Sequence, residues 1–258
     1  MEVNQISSII FYTVLLYRQD QVYNLFPSFR PNTLSFYRKG VKFYIITNIV
    51  SLKPALENEG WNVILVSCPV NEHENDYIYY KRIMKWYKLY PWTFFPDNIC
   101  VYLDPNIVPT NKCINLINRF TKSNKELLLF KHYSLSKDKI YKPTKTIMDE
   151  CKIQLMIDRE SDIIVKQIIE TDLQNTNPNF LANGGVIITK PSFIVKVVCQ
   201  YWLYLCNKYS TRDELSFPVV VRDMWEYIKT LEIIPLHVRE NEYFYLDKAI
   251  HKYVTYTN

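Results

Sequence analysis

Ile99-Cys100-Val101-Tyr102-Leu103-Asp104-Pro105-Asn106 decides how the chain is read. Five apolar residues, β-branched and aromatic among them, stop abruptly at a carboxylate, a proline and an amide. That pattern predicts a buried strand ending at the rim of a sheet. In open α/β sheets ligands gather beyond the carboxyl ends of strands, so Asp104 is a candidate for chemistry. An Asp-Pro-Asn turn that merely ends the strand is the plain alternative, and the surrounding chain has to decide between them.

Upstream, Ser8 to Tyr17 and Val41 to Thr47 read as strands, the second ending in Thr47-Asn48. Ser51 is a candidate cap for a short helix over Leu52 to Glu59, with Pro54 in its first turn and Gly60 just past its end. Trp61 to Ser67 follows as a third strand, and strand, helix, strand at this spacing argues for a parallel crossover. Cys68 to Asp76 is a polar loop. From Tyr77 to Tyr90 the period is helical, with Ile83, Trp86, Tyr87 and Tyr90 on one face and Lys81, Lys85 and Lys88 opposite, the expected solvent side. Arg82 lies at the border, where its stem can pack on the sheet while the guanidinium reaches an anion or simply meets water.

Downstream, Asn111 to Phe120 reads as a helix, Glu126 to His132 as a strand, and Thr144 to Ile157 and Ser161 to Gln174 as helices. Phe180 to Thr189 then spends two of the chain's four glycines, Gly184 and Gly185, beside Asn183 at a strand start. Such glycines imply a bulge, or a close approach of backbone to a ligand. Pro191 to Lys208 is apolar nearly all round and predicts a buried helix. Thr211 and Glu214 have capping-box spacing ahead of a helix over Leu215 to Tyr227, so the acids there have a structural explanation as well as a chemical one. Ile233 to His237 is a last short strand, expected to reach the same rim.

Composition sets the outer limits. With 258 residues, 48% hydrophobic and 22% charged, the chain suits one large soluble α/β domain. A net charge of +5 without a basic block argues against a nucleic-acid partner and leaves room for a local anion site. Six cysteines at 68, 100, 113, 151, 199 and 206 form no C-x-x-C pair, which predicts buried reduced thiols and a cytoplasmic setting. The 21 tyrosines and 13 phenylalanines fit either aromatic cores or a sugar-stacking cleft. No signal peptide or transmembrane segment is evident, and no G-x-x-x-x-G-K loop supports a kinase or ATPase.

The order of Arg82 on its helix, the strand ending in Asp104-Pro105-Asn106, Asn183-Gly184-Gly185 and then Ser210-Thr-Arg-Asp-Glu-Leu-Ser-Phe217 resembles the GT-A class of nucleotide-sugar glycosyltransferases. Within it the chain is similar to the plant mucilage-related glycosyltransferase-like family, whose late motif reads Ser-Arg-Arg-Asp-Gln-Leu-Ser-Phe. The resemblance spans about Tyr77 to Val221. Two positions depart from it: the Asp-x-Asp of the class is Asp104-Pro105-Asn106 here, and Glu214 replaces the Gln of the family.

That resemblance implies a single GT-A domain with a mostly parallel central sheet flanked by helices. A nucleotide-binding half would cover about residues 1–110 and an acceptor half about 111–258. It implies transfer of a sugar from a UDP- or GDP-sugar donor to a glycan or other hydroxyl acceptor, with Mn²⁺ or Mg²⁺ held by Asp104, Asn106 and His237 against the diphosphate. Lys81 and Arg82 would carry the phosphate charge without the metal. Thr47 and Asn48 are candidates for base or ribose, and Asn183, Gly184 and Gly185 for the donor. Asp213, and after it Glu214, are candidates for the carboxylate that takes the acceptor's proton. Rival readings are a nucleotide-sugar hydrolase or nucleotidyltransferase, and a non-catalytic glycan-binding scaffold.

Overall fold

The computed structural model of the chain describes residues 9–17, 26–37, 41–68, 76–135, 141–143, 146–157, 160–237 and 241–247. Most of the Cys68 to Asp76 loop lies outside the described residues. At the centre stand two strands, β1 (Ile9–Leu15), buried from Ile10 onward, and β4 (Ile99–Leu103), buried throughout, paired in parallel with Tyr12 beside Tyr102. Together with β2 (Lys42–Thr47), β3 (Asn62–Leu65), β6 (Leu127–Lys131), β9 (Ala182–Thr189) and β10 (Leu231–Ile234) they make a seven-stranded sheet in the order β10-β6-β9-β4-β1-β2-β3. Every pairing is parallel except those of β9, which runs against both β4 and β6. The fold is therefore α/β with a mostly parallel central sheet flanked by helices, as expected.

Both faces of the sheet are covered, which is why β1 and β4 read as unbroken apolar runs. On one face Ile10, Tyr12, Val14, Cys100 and Tyr102 meet α2 (Asp76–Leu89), α6 (Phe193–Lys208) and α7 (Asp213–Asp223). On the other, Phe11, Leu15, Val101 and Leu103 pack with Leu56 of α1 (Lys53–Asn58) and with Leu116, Ile117 and Phe120 of α3 (Cys113–Lys122). The aromatic residues fill these layers: Phe11 stacks on Phe43 at 5.0 Å, and Trp202 tilts against Phe217 at 4.5 Å. All six cysteines are free thiols and five are buried. Among the described residues no helix is long and apolar enough to cross a membrane.

The remaining elements are the short strands β5 (Ile107–Pro109) and β11 (Phe244–Leu246), paired with each other, the hairpin of β7 (Tyr133–Leu135) and β8 (Tyr141–Pro143), and the helices α4 (Ile147–Ile157) and α5 (Ser161–Glu170). Three local expectations are corrected. Ser51 does not cap α1: a 3-10 turn over Val50–Leu52 leads into it with no side-chain cap, while Gly60 does end the segment, at φ 97. Helix α6 is not buried all round, since Phe193 and Tyr204 are more than half exposed. The capping box does not form. The Thr211 hydroxyl donates instead to buried Glu160 at 2.5 Å, and Arg212 occupies the N-cap position of α7 with no side-chain bond to the helix's own N–H groups.

Trp202 of α6 is fully buried against the Phe217 ring of α7. Replacing it with Ala leaves a cavity that its neighbours cannot fill and should cost about 3–5 kcal/mol in urea unfolding, without changing the far-UV circular dichroism of the folded state.

Candidate functional site

A cleft opens where β4 ends. Its walls come from the lysine stripe of α2, from Asp104, from Asn183-Gly184-Gly185 on β9, and from Thr211 to Glu214 at the start of α7. Lys81, Met84, Lys85 and Lys88 all line it, and their spacing of three, four and seven residues is one face of a helix. The lysine face of α2 thus looks into the cleft and not to solvent, while Trp86 of the supposed buried face is 47% exposed. Periodicity located the helix and put Ile83, Tyr87 and Tyr90 against the core, where they pack, but it did not find the lysines turned inward, because lysines that have buried carboxylate partners read in sequence like a solvated face.

The partner is Asp213. Its carboxylate, only 4% exposed, ion-pairs with Lys85 at 2.7 Å and Lys88 at 2.5 Å. Lys88 also reaches Asp104 at 3.5 Å, lies over the Tyr102 ring at 4.8 Å, and has its backbone carbonyl held by the Tyr12 hydroxyl. Burial alone would raise the Asp213 pKa, but Lys85 and Lys88 outweigh it and hold the group well below the usual carboxylate range. Burial likewise opposes the charge on Lys88, and Asp104 and Asp213 more than compensate, so its pKa lies above the ordinary lysine value. Asp213 is consequently a structural counter-ion for two lysines and a poor proton acceptor.

Backbone geometry on β9 makes room for this carboxylate. Leu128 of β6 faces Ile188, yet Phe130 faces Asn183, so five residue steps on β9 are matched by two on β6 and the Gly184-Gly185 stretch bulges out of register. A Cβ on Gly184 would overlap the Asp213 carboxylate, and one on Gly185 would crowd Asn183 Oδ1 at 2.8 Å. The Asn183 side chain accepts the Gly185 N–H at 2.7 Å, and the Gly185 carbonyl accepts the Asp104 N–H at 2.8 Å. The two glycines fit both readings of the sequence at once, a bulge and a close approach, and what approaches is Asp213.

Asp104 stands at the cleft with its side chain one-third exposed; its Oδ1 accepts the Tyr102 hydroxyl at 2.7 Å. Burial opposes its ionisation, but Lys88 and the Tyr102 bond dominate and depress its pKa. Lys81 moves the other way for a lysine: burial and the adjacent Lys85 lower its pKa, with Arg212 and Lys88 adding to them, and Asp104 offsets this only in part. Arg212 and Glu214 complete the wall opposite α2.

The other predicted residues lie elsewhere. Thr47 is buried and its hydroxyl accepts the Ile49 N–H at 3.2 Å. The Asn48 amide is bonded to both backbone groups of Tyr17, at 3.1 and 2.7 Å, so it fastens the end of β1. Arg82, Asn106 and His237 are outside the cleft lining. Asn106 sits in the turn after β4 with its carbonyl on the Asp247 N–H, and the His237 ring packs on Tyr133 at 5.3 Å. A divalent cation asks for several oxygen or imidazole donors at one point. Of the expected trio only Asp104 lines the cleft, and among the described residues no group of three or more His, Cys, Asp and Glu side chains is arranged to hold a metal ion. The donor set present does not fit a cation held by the chain.

Sequence reasoning missed Lys85, Lys88, Tyr102 and His132 as cleft residues, and gave Arg212 no role. The stripe of Lys81, Lys85 and Lys88 was the available signal. His132 had none: it lines the cleft from the end of β6 and bonds buried Glu150 at 2.9 Å.

The sequence matches no family model and no curated protein. In backbone shape the chain is similar to the apo form of WbbM, a bifunctional glycosyltransferase, at 12% identity and a TM-score of 0.48 over 89% of this chain; it spans 39% of the length of that protein. It is also similar to mouse xyloside xylosyltransferase 1, with 9% identity and a TM-score of 0.46 over 88% of this chain and 85% of that one. A third similar structure is the 4-diphosphocytidyl-2C-methyl-D-erythritol synthase of Anaerococcus prevotii, at 9% identity and a TM-score of 0.44 over 89% and 87% of the two chains.

Removing the Asp213 charge leaves two buried ammonium groups short of a partner. Asp213→Asn should therefore cost about 3–5 kcal/mol in urea unfolding near neutral pH. Because the folded pKa of Asp213 is depressed, its contribution is present above the unfolded value of about 3.9 and is lost as pH falls below it. The gap between the two proteins should shrink as pH drops below about 4, and a gap constant with pH would show that the ion pairs are not its source.

Proposed function

We propose that the chain transfers a sugar from a nucleotide-sugar donor to a hydroxyl acceptor, as a glycosyltransferase of the GT-A type. One observation carries this reading: at the carboxyl end of β4, Asp104 stands beside the β9 glycines in a cleft whose other walls supply Lys81, Lys85, Arg212 and an open carboxylate, Glu214. Cations suit a diphosphate. Asp104 accepts donor hydroxyls on its exposed side. The Ser210 to Phe217 stretch that carries the resemblance to the mucilage-related family is also the stretch that delivers Arg212, Asp213 and Glu214 to the cleft, which supports the same reading.

In the reaction the acceptor oxygen forms a bond to the anomeric carbon while the bond from that carbon to the diphosphate breaks, its electron pair leaving on the diphosphate oxygen. The acceptor's proton goes to Glu214. Glu214 takes this role in preference to Asp213, whose oxygens are engaged by two ammonium groups and whose pKa is too low. A second reading, a glycan-binding protein without turnover, draws on the single carboxylate of Asp104-Pro105-Asn106.

The test is release of nucleoside diphosphate from a panel of UDP-, GDP- and CDP-sugars, with and without added glycan acceptors. At least one donor should turn over. Glu214→Gln should lower its kcat by about 10²- to 10⁴-fold while leaving donor affinity near that of the wild type. Binding of a donor with no turnover, or of no donor at all, would overturn the first reading; the second then predicts that a glycan from the acceptor panel binds the chain.

A further inference from the structure

The cleft is rich in fixed positive charge at the point where a glycosyltransferase of this type would be expected to hold a metal. Lys81, Lys85 and Lys88 enter from one face of α2 and Arg212 from the start of α7, against Asp104, Asp213 and Glu214. Asp213 is consumed inside the fold by Lys85 and Lys88. Asp104 is bonded by Tyr102 and has the Lys88 ammonium 3.5 Å away. A divalent cation brought to Asp104 would meet Lys81 and Arg212 as well as the paired Lys85 and Lys88, with Glu214 as the one further open carboxylate, a balance that opposes its entry. The same cations favour a diphosphate.

We infer that the donor's diphosphate is held and neutralised by Lys81 and Arg212, with Lys85 behind them, in the role a divalent cation would otherwise fill. This rests on the nucleotide-sugar reading. Two singly charged side chains supply the formal charge of one divalent ion, and the guanidinium adds paired N–H donors that match phosphate oxygens. The positive end of the α7 dipole adds to the field on the same wall. The depressed pKa of Lys81 agrees with this arrangement, since like charges crowd it and an arriving phosphate relieves the crowding. When the sugar leaves, the electron pair released on the diphosphate oxygen is stabilised by charges already in position.

Calorimetric titration of the whole chain with UDP, GDP, CDP and inorganic pyrophosphate, in excess EDTA and separately in excess Mn²⁺, tests the inference. At least one nucleoside diphosphate should bind in EDTA with a Kd within about threefold of that in Mn²⁺. Lys81→Met and Arg212→Met should each weaken binding in EDTA by about tenfold or more, with unfolding midpoints near that of the wild type. Should either variant fail to fold, the wild-type Kd in EDTA is measured against NaCl and should rise steeply with salt. Binding that requires Mn²⁺ and is abolished by Asp104→Asn would overturn the inference and leave the nucleotide-sugar reading intact. Absence of binding in both media would overturn both.

Discussion

The buried carboxylate of Asp213, held between Lys85 and Lys88, is the constraint around which this half of the molecule is arranged. An isolated charge in that position would be expensive, so the fold has to bring both lysines to it. That requirement sets which face of α2 turns inward, and the Tyr12 hydroxyl on the Lys88 carbonyl locks the choice. It also accounts for Gly184, since any side chain there would occupy the space of the carboxylate. Through Lys88 the same cluster reaches Asp104 and Tyr102 at the end of β4. Four elements far apart in sequence thereby converge on one charge.

The entry to α7 is secured from the other side. Glu160, 1% exposed, accepts the Ser210 hydroxyl at 2.7 Å and the Thr211 N–H at 2.8 Å, besides the Thr211 hydroxyl. Gln167 on α5 accepts the Ser210 N–H at 3.3 Å and donates to the Ser216 hydroxyl at 3.2 Å. This clamp does what a capping box would have done, with the difference that the anchor lies some fifty residues upstream. Glu214, freed from capping, can face the cleft.

What could be read from the sequence follows from which forces are local. Strands β1, β4 and β9 announce themselves because burial on both faces makes their apolar runs continuous, and the Asn183-Gly184-Gly185 signal pointed to a close approach that exists. Asp104 at the strand end, Lys81 on the helix and Glu214 near the late motif were each legible as cleft residues. The inward position of the α2 lysines was not. The three lysines have the spacing of a core stripe, but charge makes such a stripe look solvated until the buried acid more than a hundred residues later is known. Thr47 and Asn48 failed for a related reason: polar residues at a strand end suit a ligand, but here the backbone of Tyr17 and Ile49 takes their bonds. His237 follows β10 at the edge of the sheet, three places from β4; its ring packs on Tyr133, a cleft residue, so it lies next to the cleft wall without lining it.

The charge arrangement also separates what is fixed from what can respond. Lys88 lies above the usual lysine range and Asp213 well below the usual carboxylate range, so the inner cluster keeps its charges across the neutral region and cannot act as a proton relay. Lys81, at the outer end of the same stripe, is pushed the other way by its neighbours. An anion entering the cleft therefore has little reorganisation to bring about: the inner pairs are already satisfied, and the outer cation, crowded by Lys85 and Arg212, gains a further counter-charge. Preorganisation of this kind needs the α2 lysine stripe in one orientation only. That ties the cleft back to Asp213, because the residue that is least suited to accept a proton is the one that keeps the cleft-facing charges in place.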